Sequence, residues 1–114
     1  MILAVDFDGT LHDGDYPSIG EPRPGAAETL RALHEEGHTV IIWTCRRDGL
    51  LDEAVRWMER EGIPFDAVNE QDPSVLRTFG GDTRKIYADV YIDDRNLGGI
   101  PSWRVIYKRI NQMI

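Results

Sequence analysis

The sequence has a single cysteine, Cys45, so no disulfide can form within the chain. Long hydrophobic runs are missing too: none approaches the roughly 20 apolar residues of a membrane helix. The apolar residues 1–5 are ended by Asp6 and Asp8, which is too soon for a secretory signal. Positive charge is in the minority, with 13 basic against 20 acidic residues and a net charge of −7. A surface of that sign repels a phosphate backbone, so general nucleic-acid binding is disfavoured. Histidine is scarce, and no histidine pair or cysteine cluster has the spacing of a zinc site. Neither a membrane nor a nucleic acid is therefore expected as a partner, and the chain reads as a cytoplasmic protein.

What remains is ordinary folded-protein composition, 41% hydrophobic and 29% charged, over a length that suits one domain, residues 1–114. The run Ile2-Leu3-Ala4-Val5 stops at Asp6 and reads as a strand buried on both faces. The next segment, rich in Gly and Pro, reads as an irregular loop. Pro24 suits the first turn of a helix. Ala27, Leu30 and Leu33 give it an apolar face, and Gly37 ends it. Residues 39–43 read as a second buried strand. A second helix opens at Asp48 or Gly49, carries Leu51, Ala54, Val55 and Met58 on its inner side, and ends at Gly62. Residues 65–68, 88–92 and 103–107 are expected as three further strands, with a short helix at 74–78.

Strands alternating with helices imply an α/β fold with right-handed crossovers. The expected architecture is a Rossmann-like three-layer sandwich around a parallel sheet of about five strands. In such sheets a ligand lies beyond the carboxyl ends of the strands, where the strand order reverses. Three expected strand ends carry polar residues: Asp6 and Asp8, then Thr44, then Asp93 and Asp94. An acidic residue at a strand end usually just enters a solvated loop. Two acidic pairs at neighbouring strand ends are another matter. Each like-charge pair near 4 Å costs on the order of 4 kcal/mol at an effective dielectric of about 20. A divalent cation removes that cost, and all-oxygen ligands suit Mg²⁺.

Asp6-Phe7-Asp8-Gly9-Thr10 matches the DxDGT signature of the haloacid dehalogenase (HAD) superfamily, in its phosphatase form. Thr44 ends the second strand as the second motif of that superfamily does. Lys85 stands where the third motif belongs, and Asp93-Asp94 where the fourth does, so the resemblance runs through most of the chain. It implies a Mg²⁺-dependent phosphohydrolase that cleaves a phosphomonoester through an aspartyl-phosphate. By that resemblance Asp6 is the nucleophile, and Asp8 protonates the leaving oxygen and then activates water. Thr44 binds a phosphoryl oxygen, and Lys85 neutralises charge. Asp6, the Asp8 backbone carbonyl and Asp93 hold the metal, and Asp94 is a further ligand or positions Lys85. Lys85 lies only eight residues before Asp93, closer than in many members, and Arg84 is an adjacent candidate for the same role.

Arg46 follows Thr44 closely and is a candidate for a bidentate phosphate contact. Cys45 reads as a small buried residue, His12 as an exposed loop residue, and His34 and His38 as helix-surface and turn residues. Trp43, Trp57 and Trp103 read as packing. Neither gap between motifs holds an inserted cap domain. The expected partner is then a phosphorylated small molecule or a bulky phosphorylated substrate, with a neighbouring copy of the chain as an alternative lid. A receiver-like signalling module also joins a parallel α/β sheet to an aspartyl-phosphate. It needs an aspartate at the end of the third strand, however, and only Asp66 lies in that segment. A non-enzymatic phospho-binding module is the other competing reading, against which both Asp6 and Asp8 are present.

Overall fold

The computed structural model describes residues 1–114 and carries four short parallel strands: β1 (Ile2–Val5), β2 (Thr39–Ile42), β3 (Ala67–Val68) and β4 (Val90–Ile92). Their order is β3-β2-β1-β4. Leu3 pairs with both Val40 and Val90, and Val5 with both Ile42 and Ile92, so β1 is enclosed on both edges. Helices α1 (Ala26–Glu35), α2 (Asp48–Glu61), α3 (Pro73–Phe79) and α4 (Trp103–Gln112) alternate with the strands or follow them. No helix is long and apolar enough to cross a membrane.

Side chains alternate across the sheet with the period of two that a strand imposes. Leu3, Val5, Val40, Ile42 and Ile92 join the larger core, to which α1 gives Leu30 and Leu33, α2 gives Ala54, Trp57 and Met58, and α4 gives Trp103, Ile106 and Ile110. Ala4 and Ile41 face the other way and meet Ile86 and Ala88 from the chain before β4. The strand runs are apolar on both faces because both faces are covered. From β1 to β3 the chain steps in one direction across the sheet. It then returns past β1 to reach β4, so the order reverses between β1 and β4.

The sheet has four strands rather than about five, because residues 103–107 are helical. Adjacent Val105 and Ile106 resemble a strand, but the buried residues Trp103, Ile106 and Ile110 recur at helical spacing. Ser102 caps this helix, its hydroxyl accepting from the Val105 N–H at 3.3 Å. Ser102→Ala is expected to cost about 1 kcal/mol, seen in thermal melting as a fall of about 4 °C. An unchanged melting temperature would deny the cap any role.

Candidate active site

The strand order reverses between β1 and β4, the place where sheets of this kind take a ligand, and the acidic residues meet at the carboxyl ends of these two strands. The Asp6 N–H donates to the Ile92 carbonyl at 2.9 Å, which holds the first residue after β1 against the end of β4. One carboxylate oxygen each from Asp6, Asp93 and Asp94 lies within 4.8 Å of the others. Thr10 stitches the group together. Its hydroxyl lies 3.0 Å from Asp6 Oδ2 and 3.1 Å from Asp94 Oδ1, and accepts from the Asp94 N–H at 3.0 Å. The Thr10 carbonyl accepts from Trp103 Nε1 at 3.0 Å, so α4 braces the group from behind. Gly9 has to be glycine: its φ is +81°, and a Cβ there would lie 2.4 Å from Asp94 Oδ2.

Charge in this group is unbalanced. Burial first, then the hydrogen bond with Asp94 and the charge of Asp93, push the Asp6 carboxyl from 3.8 up to about 8, against a smaller opposing effect of Thr10. No arginine or lysine pairs with Asp6, Asp93 or Asp94; the ion pairs of the chain use other carboxylates. An oxygen-only donor set with excess negative charge fits Mg²⁺, which would favour the ionised form of each ligand.

Asp8, two residues from Asp6, lies in the opposite environment. Its Oδ2 accepts from Arg46 Nε at 2.9 Å, and its Oδ1 accepts from Arg46 Nη2 at 2.8 Å. Its Oδ1 also meets His12 Nε2 at 2.8 Å. Burial alone would raise the Asp8 carboxyl, but the hydrogen bonds of Arg46 and His12 and the charge of Arg46 outweigh it and hold the group below its ordinary 3.8. Arg46 is 2% exposed and His12 fully buried. The turn that begins when the Leu11 N–H bonds the Phe7 carbonyl at 3.0 Å brings Asp8 and His12, four residues apart, to the same side. His12 is thus not an exposed loop residue. The signal that could have found it is its spacing from Asp8, which carries meaning only if the chain turns there.

Arg46, expected at the phosphate, instead directs its donors to Asp8, to the Pro17 carbonyl at 2.8 Å and to the Leu50 carbonyl at 3.3 Å. Thr44 follows directly after Trp43, whose N–H donates to the Val5 carbonyl at 2.9 Å. Thr44 therefore runs alongside the chain at Asp6. Asn69 fixes it by two bonds of 2.9 Å, to the Thr44 N–H and carbonyl. The Thr44 hydroxyl accepts from the Arg46 N–H at 3.1 Å, which leaves its proton free to donate. Lys85 is not brought to Asp6 by any ion pair; its ammonium lies 4.9 Å from the centre of the Tyr91 ring. Arg84 is exposed and unpaired. Cys45 is exposed rather than buried. His38 is buried rather than in an open turn, with Nδ1 3.0 Å from the amino terminus.

No family model matches the sequence, and no curated protein matches it. Among solved structures, a conserved protein of Bacteroides thetaiotaomicron is 46% identical with a TM-score of 0.90, over 100% of this chain and 92% of that one. A protein of Vibrio cholerae solved as an MCSG target is 23% identical with a TM-score of 0.53, over 98% of this chain and 94% of that one. It shares the fold.

Proposed function

We propose that this chain, which belongs to the same family as the conserved Bacteroides thetaiotaomicron protein, is a Mg²⁺-dependent phosphohydrolase of the haloacid dehalogenase type. Its four parallel strands then form the reduced sheet of a Rossmann-like fold without a cap. The observation that carries the reading is the contrast between two neighbouring carboxylates. Asp6 is pressed against Asp93 and Asp94 with no cation to offset it, and Asp8 is held by a guanidinium and an imidazole. The raised Asp6 suits a metal site, where a bound cation would favour its ionised, nucleophilic form, and the lowered Asp8 suits a base that takes a proton from water.

In this reading Asp6, in its ionised form, attacks the phosphorus of a phosphomonoester, and the bond to the leaving oxygen breaks as that oxygen takes a proton that Asp8 has first bound from solvent. Water then attacks the aspartyl-phosphate, gives a proton to Asp8, and frees Asp6 and inorganic phosphate. Thr44, pinned by Asn69, offers its free hydroxyl proton to a phosphoryl oxygen. Lys85 supplies positive charge from beside Tyr91, two residues before Asp93. Asp6, Asp93, Asp94 and the Asp8 carbonyl would hold Mg²⁺. When bound, that ion offsets the repulsion between the carboxylates and the substrate phosphate.

A panel of phosphomonoesters spanning nucleotides, sugar phosphates and phosphoproteins, assayed with Mg²⁺, tests the reading. Turnover is expected with Mg²⁺, lost in EDTA, and inhibited by Ca²⁺, whose looser coordination misplaces the nucleophile. Asp93→Ala is expected to raise the Mg²⁺ concentration for half-maximal activity more than Asp94→Ala does. Full activity in EDTA would remove the metal from the mechanism.

A further inference from the structure

We propose that His12 and Arg46 are positioning residues for Asp8, and that through them the loop of residues 13–20 sets the orientation of its carboxylate. The inference rests on Asp8 being the proton-transfer group.

The geometry at His12 leaves it one role. Its Nδ1 accepts from two backbone N–H groups, those of Gly14 at 3.0 Å and Gly20 at 3.1 Å. The ring proton therefore belongs on Nε2, which donates to Asp8 Oδ1. Those two glycines form the neck of the loop. A Cβ on Gly20 would lie 2.4 Å from the Gly14 nitrogen, so only glycine allows the two strands of the neck to close on the imidazole. The imidazole is thereby fixed by the loop on one side and fixes Asp8 on the other.

Arg46 makes the same connection a second time. Its Nη2 lies 2.8 Å from Asp8 Oδ1 and 2.8 Å from the Pro17 carbonyl at the loop tip. The guanidinium lies between the rings of Phe7 and Tyr16, 5.1 Å and 5.2 Å from their centres. Tyr16 itself is 61% exposed. A buried guanidinium carries a desolvation penalty that apolar packing would avoid, so closing the loop does not by itself account for an arginine here. A planar fork that grips a carboxylate in one orientation does account for it. Asp8 is thus held by two groups, and each is itself held by the loop.

The test measures kcat and KM with Mg²⁺ for an alkyl phosphate and for p-nitrophenyl phosphate, whose leaving group needs no proton. Thermal melting is followed in parallel. His12→Phe, which cannot donate, is expected to lower kcat on the alkyl phosphate about 10²-fold, with KM within about threefold and a loss on the aryl ester under about tenfold. His12→Gln, whose amide N–H reaches the place of Nε2–H, is expected to recover most of that loss. Gly20→Ala, with no side-chain contact to Asp8, is expected to shift the alkyl-to-aryl ratio in the same direction. Equal losses on both substrates that follow the melting temperature and are not rescued by glutamine would overturn the positioning role. An unshifted ratio in Gly20→Ala would overturn the link to the loop. Turnover by Asp6→Asn, run alongside, would overturn the phosphohydrolase reading and the positioning role with it. An inactive Asp6→Asn with an unshifted ratio in the other variants would overturn the positioning role alone.

Discussion

Asp6→Asn is expected to abolish turnover, by at least about 10³-fold, and at the same time to raise the melting temperature in metal-free buffer at pH 8. The two effects have one cause. Asp6 sits against Asp93 and Asp94, where burial and its acidic neighbours push its carboxyl from 3.8 to about 8. A carboxyl raised in the folded state binds a proton that the unfolded chain has released. The contribution of Asp6 to metal-free stability is therefore fully present below about 4 and is lost as pH rises to about 8. Mg²⁺, which binds the ionised group in the folded chain, is expected to reverse the fall. Asparagine cannot ionise, so the variant escapes the fall and loses the nucleophile with it. The measurements are phosphate release with Mg²⁺, and melting in EDTA at pH 5 and pH 8 for both proteins. Activity within tenfold of the parent would remove Asp6 from the role, and a variant whose melting temperature follows the parent's between those pH values would show that Asp6 does not drive the fall.

Asp8→Asn is expected to have the second-largest effect, and to act in the opposite direction on stability. Loss of the proton shuttle contributes roughly 10²–10⁴-fold. The loss should be larger on alkyl phosphates than on p-nitrophenyl phosphate, and the phosphoenzyme should accumulate with the aryl ester. The variant also leaves the buried Arg46 guanidinium without its carboxylate. An uncompensated buried charge of this kind costs on the order of 3 kcal/mol, or about 10 °C in melting temperature for a chain of this size. The Asp8 carboxyl is held below its ordinary 3.8. The stability drawn from this clamp is therefore fully present above that value and lost only as pH falls through the lowered one, so it persists across neutral pH. Mass spectrometry for phosphate on Asp6, the ratio of losses on the two esters and a melting curve together check the expectation. Equal losses without a trapped phosphoenzyme would make Asp8 structural. An unchanged melting temperature would show that Arg46 does not depend on it.

The pair of predictions also shows why identical side chains two residues apart behave differently. The alternation of β1 ends at Asp6, whose side chain turns toward the end of β4. The turn at residues 7–11 then carries Asp8 toward His12 and Arg46. The same chemistry meets uncompensated acids in one direction and two donors in the other.

Much of this was legible along the chain because it rests on short-range rules. The runs in β1, β2 and β4 are apolar on both faces, and each is followed by residues able to do chemistry. Helices α1 and α2 carry apolar stripes, and α2 ends at Gly62 in the left-handed conformation. The meeting of Asp6 with Asp93 and Asp94 follows from two strand ends and the rule that places them at a reversal of order. Residues 103–110 were decided by tertiary packing. The β-branched pair Val105-Ile106 favours a strand locally, but burying Trp103, Ile106 and Ile110 against α1 and the sheet favours a helix, and the large apolar area at stake outweighs propensity. Only the folded chain could settle Arg46 and His12. A guanidinium can serve a substrate phosphate or a carboxylate equally well. Which of the two it serves depends on the closure of the 13–20 loop over it, and no periodicity or local spacing in the sequence encodes that closure.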